Sequence, residues 1–551
     1  MPLFLLELEK KLDEFAAEGS APGFRLFLSS DPANSIPIGL LEKSIKLTNE
    51  PPQGVKQNMK RAFTFFTKES FEDKDPKIKT ILFSLCYFHT VMLERRKFGP
   101  KGWNMMYPFS VGDLRDSALV MNNYMETNAA SGKIPWDDLK YLIGEIMYGG
   151  HIVDDRDRVF TIAFLNNLMN DGLLDEAELF PFIEGKNITF KCPAPNTYEK
   201  YIEYIETECP PETPLAFGMD PNAEIDFRTG QCTQLFNLLV EIQPRDGASG
   251  GGGGNTIQEK IQEFMHRVAD EASLDTNKLN IDDINSKISD EQRQPYQNTF
   301  LQECEYMNVL IKVIVTSLAE IELAFKGELT MNEKMENLMN AIYLNRVPAN
   351  WSKYGFVSTR VLSSWLDNLK QRLDQLNLWK DDPVTTPKCT FLNRLFNPES
   401  FLTAIQQIYS REKETELNKL GIQTDVLKKL YWEQDLPPCK EGAYVFGFQV
   451  EGARWDAAIG QLEESRPKKQ FSVVPVVNCR AYQIPATVKV DQGIYQCPVY
   501  KTENRGNTYV FTAQLKTKLP AQKWVLAGVA LILDVEGVSD AFAPGKEIPL
   551  I

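Results

Sequence analysis

"DLKYLIGEIMYGGHIVDDRDR" runs from Asp138 to Arg158, and its reading decides what kind of protein this is. Pro135 opens a helix just upstream, and Gly149 and Gly150 close it. His151, Asp154, Asp155 and Asp157 follow within seven residues. One imidazole and three carboxylates are a ligand mix that Mg²⁺ or Mn²⁺ takes. Such sites collect ligands from several elements, however, and no second cluster of His and Asp exists to complete one. As structure, the same residues need nothing from elsewhere. Asp154 or Asp155 caps the next helix, its carboxylates sit at the positive end of the helix dipole, and Arg156 and Arg158 supply counter-charge. Capping is therefore the expected role, with no catalytic, cofactor-binding or metal residues assigned. A metal-dependent hydrolase using His151, Asp154, Asp155 and Asp157 stands as the alternative.

The surroundings of this stretch are helical from Gln53 to Asp171. "GVKQNMKRAFTFFTKESF" carries Val55, Met59, Ala62, Phe63 and Phe66, and "KIKTILFSLCYFHTVMLERRKF" reads as a longer, more buried helix. "SVGDLRDSALVMNNYMETN" follows, with Ser110 or Asp113 as N-cap. Upstream, residues 3 to 18 place Leu5, Leu8, Leu12 and Phe15 on one helical face, and "GFRLFLSS" (Gly23 to Ser30) reads as a buried strand. Helix followed at once by buried strand is half of an α/β unit, so the sequence is expected to begin inside a domain. Downstream, residues 180 to 234 are rich in proline and read as irregular. "DGASGGGGGN" (Asp246 to Asn255) reads as a flexible linker and a domain boundary. Residues 256 to about 435 are helical again. From Gly442 the texture changes to short β-rich segments, among them "AYVFGFQVEGARWD", "ATVKVD" and "KWVLAGVALIL", separated by Pro and Gly turns. That spacing predicts an antiparallel sandwich or barrel.

The protein has 551 residues, which implies two to four domains. With 60 basic against 75 acidic residues its net charge is -15. That disfavours a nucleic-acid partner, which is held by phosphate neutralisation, and direct docking on an acidic lattice or anionic membrane. Nine scattered cysteines with no CxxC pair read as reduced thiols of a cytosolic compartment. The amphipathic N-terminus is no signal peptide, and the run Trp524 to Leu533 is half a membrane span.

Chemistry-bearing motifs are absent from the sequence. Three Gly-Lys pairs, at Lys133, Lys186 and Lys546, lack the earlier glycine and the following hydroxyl of a phosphate-binding loop. No G-x-S-x-G elbow precedes a helix. Of three histidines, His89 reads as core and His266 as solvated. "FGPKGWN" (Phe98 to Asn104) reads as a packed turn, and the glutamates of "LEESRPKK" (Leu462 to Lys469) as a solvated one. Trp351, Trp365 and Trp379, at fourteen-residue spacing, read as a packing stripe.

The same stretches carry a resemblance. "DLKYLIGEIMYGGHIVDDRDR", "SIKLTNEPPQGVKQNMKRAF", "FGPKGWNMMYPFSVGDLRDSA" and "PNAEIDF" (Pro221 to Phe227) resemble the sixth AAA+ module of dynein heavy chains. "FKGELT" (Phe325 to Thr330), "LFNPESFLTAI" (Leu395 to Ile405), "VEGARWD" (Val450 to Asp456) and "YQCPVYKT" (Tyr495 to Thr502) with Arg505 resemble the dynein C-terminal domain, of axonemal outer-arm type. The resemblance implies residues 1–52 as the end of an α/β AAA+ large subdomain and 53–245 as its helical lid. It implies 246–255 as a Gly-rich linker, 256–435 as the helical half of an α+β C-terminal domain, and 436–551 as an antiparallel incomplete β-barrel. It implies the non-catalytic C-terminal part of an ATP-driven, minus-end-directed microtubule motor of cilia and flagella, which closes the AAA+ ring and regulates output. The implied partners are the other ring modules and other dynein heavy, intermediate and light chains, with microtubules reached through a stalk outside this segment. Nucleic acid and membrane are not among them, and ATP and Mg would bind at other modules. The implied location is the cytoplasm and the ciliary or flagellar axoneme.

Overall fold

The computed structural model describes residues 2–21, 23–30, 33, 36–47, 53–128, 133–175, 177–184, 188–242, 259, 261–266, 279–288, 293–428, 436–485 and 493–535. The Gly-rich segment 246–255 and "ATVKVD" (486–491) lie wholly or almost wholly outside them. The protein forms two compact units, Met1–Gln53 and Gly54–Ile551.

In the first unit, helix Pro2–Glu18 half-buries Leu5, Leu8 and Leu12 on one face, as the spacing predicts. Phe15 meets Phe24 edge-on at 6.1 Å. The buried strand expected at Gly23–Ser30 does not form. The segment is extended without a ladder, and Phe27 is 88% exposed. A strand needs a neighbour's N–H and C=O groups, and no described segment of this unit supplies them.

The second unit starts with a helical bundle. Helix Val55–Thr64 buries Val55, Met59, Ala62 and Phe63. Asp75 caps helix Pro76–Glu94, which is buried at every position from Thr80 to Met92. A helix apolar all round belongs at the centre of a bundle, and most of its polar groups find partners there. Ser84 Oγ donates to Leu168 O (3.2 Å) and Tyr87 OH to Ala216 O (2.7 Å). His89 Nδ1 meets Tyr148 OH at 2.8 Å, and burial pushes the ring down to about 4, so it is a neutral core residue. Ser110 and Asp113 form a capping box for helix Val111–Thr127. Helix Trp136–Tyr141 continues as a π-turn at Leu142–Met147 and ends in the 3₁₀ turn Gly149–His151.

The irregular reading of residues 180 to 234 is corrected. The strands β1 (Pro181–Glu184) and β2 (Thr189–Lys191) pair as a hairpin, and helices Tyr198–Glu208 and Ala223–Ile242 follow. The prolines fall between these elements or at their first residue, where a missing N–H does no harm. Aromatics do the anchoring: Tyr87 stacks on Phe182 (4.9 Å), and Phe63 on Tyr201 (5.5 Å).

Helix Pro295–Phe325 has 31 residues and is the longest described. Around it pack helices Glu333–Tyr343, Leu362–Asp381 and Pro398–Lys413. Trp351, Trp365 and Trp379 are all buried, but they form no single helical stripe. Trp351 lies on a separate short helix, Ala349–Tyr354, and stacks on Trp365 at 6.2 Å, while Trp379 stacks on Phe300 at 5.0 Å.

Two sheets complete the unit. One has the order β3 (Thr390–Phe391), β5 (Ala443–Phe446), β10 (Val477–Gln483), β4 (Leu420–Val426). The other has β12 (Tyr509–Lys516), β11 (Ile494–Thr502), β13 (Ala530–Asp534), β6 (Gln449–Glu451), β9 (Phe471–Val473). A ribbon pairs β7 (Ala453–Asp456) with β8 (Gln461–Glu464). The expectation of antiparallel pairing is corrected, because β3–β5 and β11–β13 are parallel. After β12 the backbone crosses over through helix Ala521–Ala527, so β13 returns beside β11 in the same direction. The expected helical half, 256–435, also contributes β3 and β4. One apolar core spans the helices and both sheets.

Candidate functional site

The groups that join the helical bundle to the β sheets come from the stretches that carried no recognisable chemistry. Arg95 follows the central helix, and the backbone then turns at Gly99 (φ 55). Arg95 Nε donates to Gly102 O (3.1 Å), and Nη1 to Phe217 O (2.7 Å) and Leu526 O (3.3 Å). Its guanidinium lies 3.9 Å from the centre of the Phe160 ring. Gly102 tolerates no side chain, since a Cβ would stand 1.9 Å from Arg95 O. "FGPKGWN" is thus a packed turn, and Trp103 Nε1 fixes it by donating to Met92 O (3.1 Å).

Lys101, in the same turn, meets two carboxylates: Asp226 and, at 3.1 Å, Glu451 Oε1 on β6. Arg505 Nη2 donates to Glu451 Oε2 (2.6 Å) and to Gly528 O (2.7 Å). Burial alone would raise the Glu451 carboxyl. Lys101 and Arg505 together outweigh it and hold Glu451 below the usual carboxylate range. Asp226 also accepts from Gln470.

A second cluster lies along the same seam. Asn222 Nδ2 donates to Ser465 Oγ (3.2 Å), Arg466 O (3.0 Å) and Lys469 O (2.9 Å), while its Oδ1 accepts from Lys468 N (2.9 Å). Ser465 Oγ donates to Asp220. In "LEESRPKK" the glutamates end strand β8 instead of standing in a turn, and Glu464 is exposed. Its second half, residues 466–469, is an exposed turn whose backbone docks on Asn222.

The opening stretch supplies the third cluster. Asp154 is the N-cap of helix Asp155–Leu168, accepting from Arg156 N (2.8 Å) and Asp157 N (3.3 Å). Asp157 is buried and accepts from Asn104 N (3.1 Å), Met105 N (3.3 Å) and Tyr107 OH (2.7 Å); burial still pushes it up to about 6. His151 Nε2 pairs with Asp113 Oδ1 (2.9 Å), and Asp155 is exposed. Asp154 and Asp157 share Asn104, His151 is held by Asp113, and Asp155 faces solvent, so the four do not converge on one point. Among the described residues no group of three or more His, Cys, Asp or Glu is placed to hold a metal ion. Instead the cap reaches the β sheets. Asn104 Nδ2 donates to Asp154 Oδ1 (3.2 Å) and to Tyr500 OH (2.9 Å), and the Arg156 guanidinium lies 3.5 Å from the centre of the Tyr509 ring. Sequence reading did not find these partners, because no spacing rule links residues so far apart along the polypeptide.

Residues 229–533 match the family described as the C-terminal domain of the dynein heavy chain. The chain belongs to the dynein heavy chain family. Residues 78–223 match the AAA lid domain of the dynein heavy chain, and residues 1–48 its region D6 P-loop domain. This dynein chain is 44% identical over 540 residues to dynein axonemal heavy chain 9 of Homo sapiens, and 44% over 548 residues to the dynein beta chain, flagellar outer arm, of Chlamydomonas reinhardtii. The ciliary dynein beta chain of Tripneustes gratilla is 43% identical over 540 residues. These alignments cover 96–97% of the chain and 12% of each relative. The seam thus lies between the lid, with Arg95, Lys101, Asn104 and Asp154, and the C-terminal domain, with Glu451, Tyr500, Arg505 and Tyr509. The metal-hydrolase alternative finds no support in either the geometry or the family.

Proposed function

We propose that this chain is the C-terminal, non-catalytic part of an axonemal, outer-arm-type dynein heavy chain. In the full heavy chain it closes the AAA+ ring and regulates the output of an ATP-driven, minus-end-directed motor in the ciliary or flagellar axoneme. The observation that carries this reading is the seam itself: matched lid and C-terminal domains are locked by Lys101, Glu451 and Arg505, so movement of one is transmitted to the other. The segment's own partners are the remaining ring modules and other dynein chains. ATP and Mg act at other modules, and microtubules are held through the stalk. Residues 246–255 are a Gly-rich linker, and the β half is a partly closed barrel. Support for closure comes from Thr424 on β4, which exchanges hydrogen bonds with Gln514 on β12 (Thr424 Oγ1 to Gln514 O 3.0 Å; Gln514 N to Thr424 Oγ1 2.7 Å), so a side chain joins the edges of the two sheets.

The test is deletion of residues 256–551 from the full heavy chain. Microtubule gliding velocity and stall force should change while ATP affinity stays the same. Unaltered gliding and force would count against a regulatory role.

A further inference from the structure

A cleft of about 370 Å³ opens beside the seam, between the start of helix Asp155–Leu168 and strands β11 and β12. That volume is within the range of small-molecule sites, roughly 300–1,000 Å³. Arg95, Arg156 and Arg505 line it, and Val159, Pro498 and Val525 give it apolar walls. Two carboxylates also line it. Asp157 is already engaged by Asn104, Met105 and Tyr107, and Asp155 is exposed.

Two of the guanidinium groups have donors to spare. Arg505 is 5% exposed, and its Nε has no acceptor among the described residues. Its backbone stands at φ 47, ψ -119, a region where a residue with a Cβ is strained. Such strain persists where the surroundings over-determine it, and it clusters at ligand clamps. Here Glu451 and Gly528 O provide the constraint. Arg156 is 30% exposed, its guanidinium makes no hydrogen bond among the described residues, and its carboxylate neighbour Asp154 stands 3.9 Å away. A guanidinium fork suits carboxylate or phosphate oxygens, and the apolar walls suit an apolar body.

We propose that this cleft binds a small molecule carrying one phosphate or carboxylate group on an apolar body. A bare anion would leave the apolar walls unused, and a neutral apolar molecule would leave the guanidinium donors unused. The site is independent of the motor reading, since it needs only residues of this protein.

Phenyl phosphate is the probe, added to the full 551-residue protein and followed by saturation-transfer NMR, with inorganic phosphate and phenol as separate arms. Phenyl phosphate should saturate with a Kd of about 1 mM, as expected for so small a ligand. Each fragment alone should bind at least about tenfold more weakly, since the two parts act together. Arg156→Ala should weaken phenyl phosphate. Gln496→Trp, at an exposed position on β11, should block the cleft without touching the core, and it carries the test if Arg156→Ala unfolds. Equal binding of inorganic phosphate, indifference to Gln496→Trp, or absence of saturation would each overturn the proposal. A crystal soak showing phenyl phosphate only elsewhere would do so as well.

Discussion

Glu451, 2% exposed between Lys101 and Arg505, is the residue on which the seam turns. Glu451→Gln leaves buried Arg505 facing a neutral amide while Lys101 keeps Asp226, and breaking a buried pair from one side costs about 3–5 kcal/mol. Urea unfolding of the whole protein should show that loss. The pH dependence has a definite sign. Lys101 and Arg505 hold Glu451 below its unfolded value, so its contribution is present above that value, about 4.3, and is lost as pH falls through its folded pKa. Asp157 has the opposite sign. Burial raises it to about 6, so its contribution is present below its unfolded value and disappears as pH rises through 6. Wild type should therefore lose roughly 3 kcal/mol relative to Asp157→Asn between pH 4 and pH 7. Parallel urea titrations of the two proteins check this; a pH-independent difference would contradict it. Asp154→Ala removes an N-cap and should cost about 0.5–2 kcal/mol, read as a shifted urea midpoint. The cap was legible in the sequence because capping is local chemistry. Asp154's link through Asn104 to Tyr500 was not, because nothing in the sequence says which distant hydroxyl will arrive.

Helices were legible where a long apolar run exceeded strand length, as in Pro76–Glu94 and Pro295–Phe325. Strands were less so, because a strand is completed by another segment. β4 was hidden inside a region read as helical. It forms by pairing along β10, from Leu420 opposite Gln483 to Val426 opposite Val477. Conversely, Gly23–Ser30 has strand-like residues and no described partner in its unit. Junctions between elements rest on single residues. Glu303, on the long helix, accepts from Phe396 N (2.6 Å) and Asn397 N (2.9 Å), capping helix Pro398–Lys413 from outside. Glu303→Ala leaves those donors buried without an acceptor and should cost about 1–3 kcal/mol. Native-state hydrogen exchange should report it as faster exchange at the first turn of that helix. Exchange unchanged there would show the cap to be dispensable.

At the scale of the molecule, the family was legible because its motifs are long and occur in order, although none of them names a reaction. Their residues proved to be the pieces of one seam: "FGPKGWN" brings Lys101, "PNAEIDF" brings Asp226, "VEGARWD" brings Glu451, and the motif after "CPVYKT" ends at Arg505. The lid and the C-terminal domain share that buried ionic lock, so the seam should set how faithfully motion passes between them. The most direct test puts Glu451→Gln into the full heavy chain, beside a core control such as Ile342→Val that lies away from the seam. Gliding velocity and ATP affinity are measured for both. Glu451→Gln should change gliding while leaving ATP affinity as it was, and the control should change neither. Gliding that is identical in Glu451→Gln and wild type would contradict the claim that this seam couples the lid to the C-terminal domain.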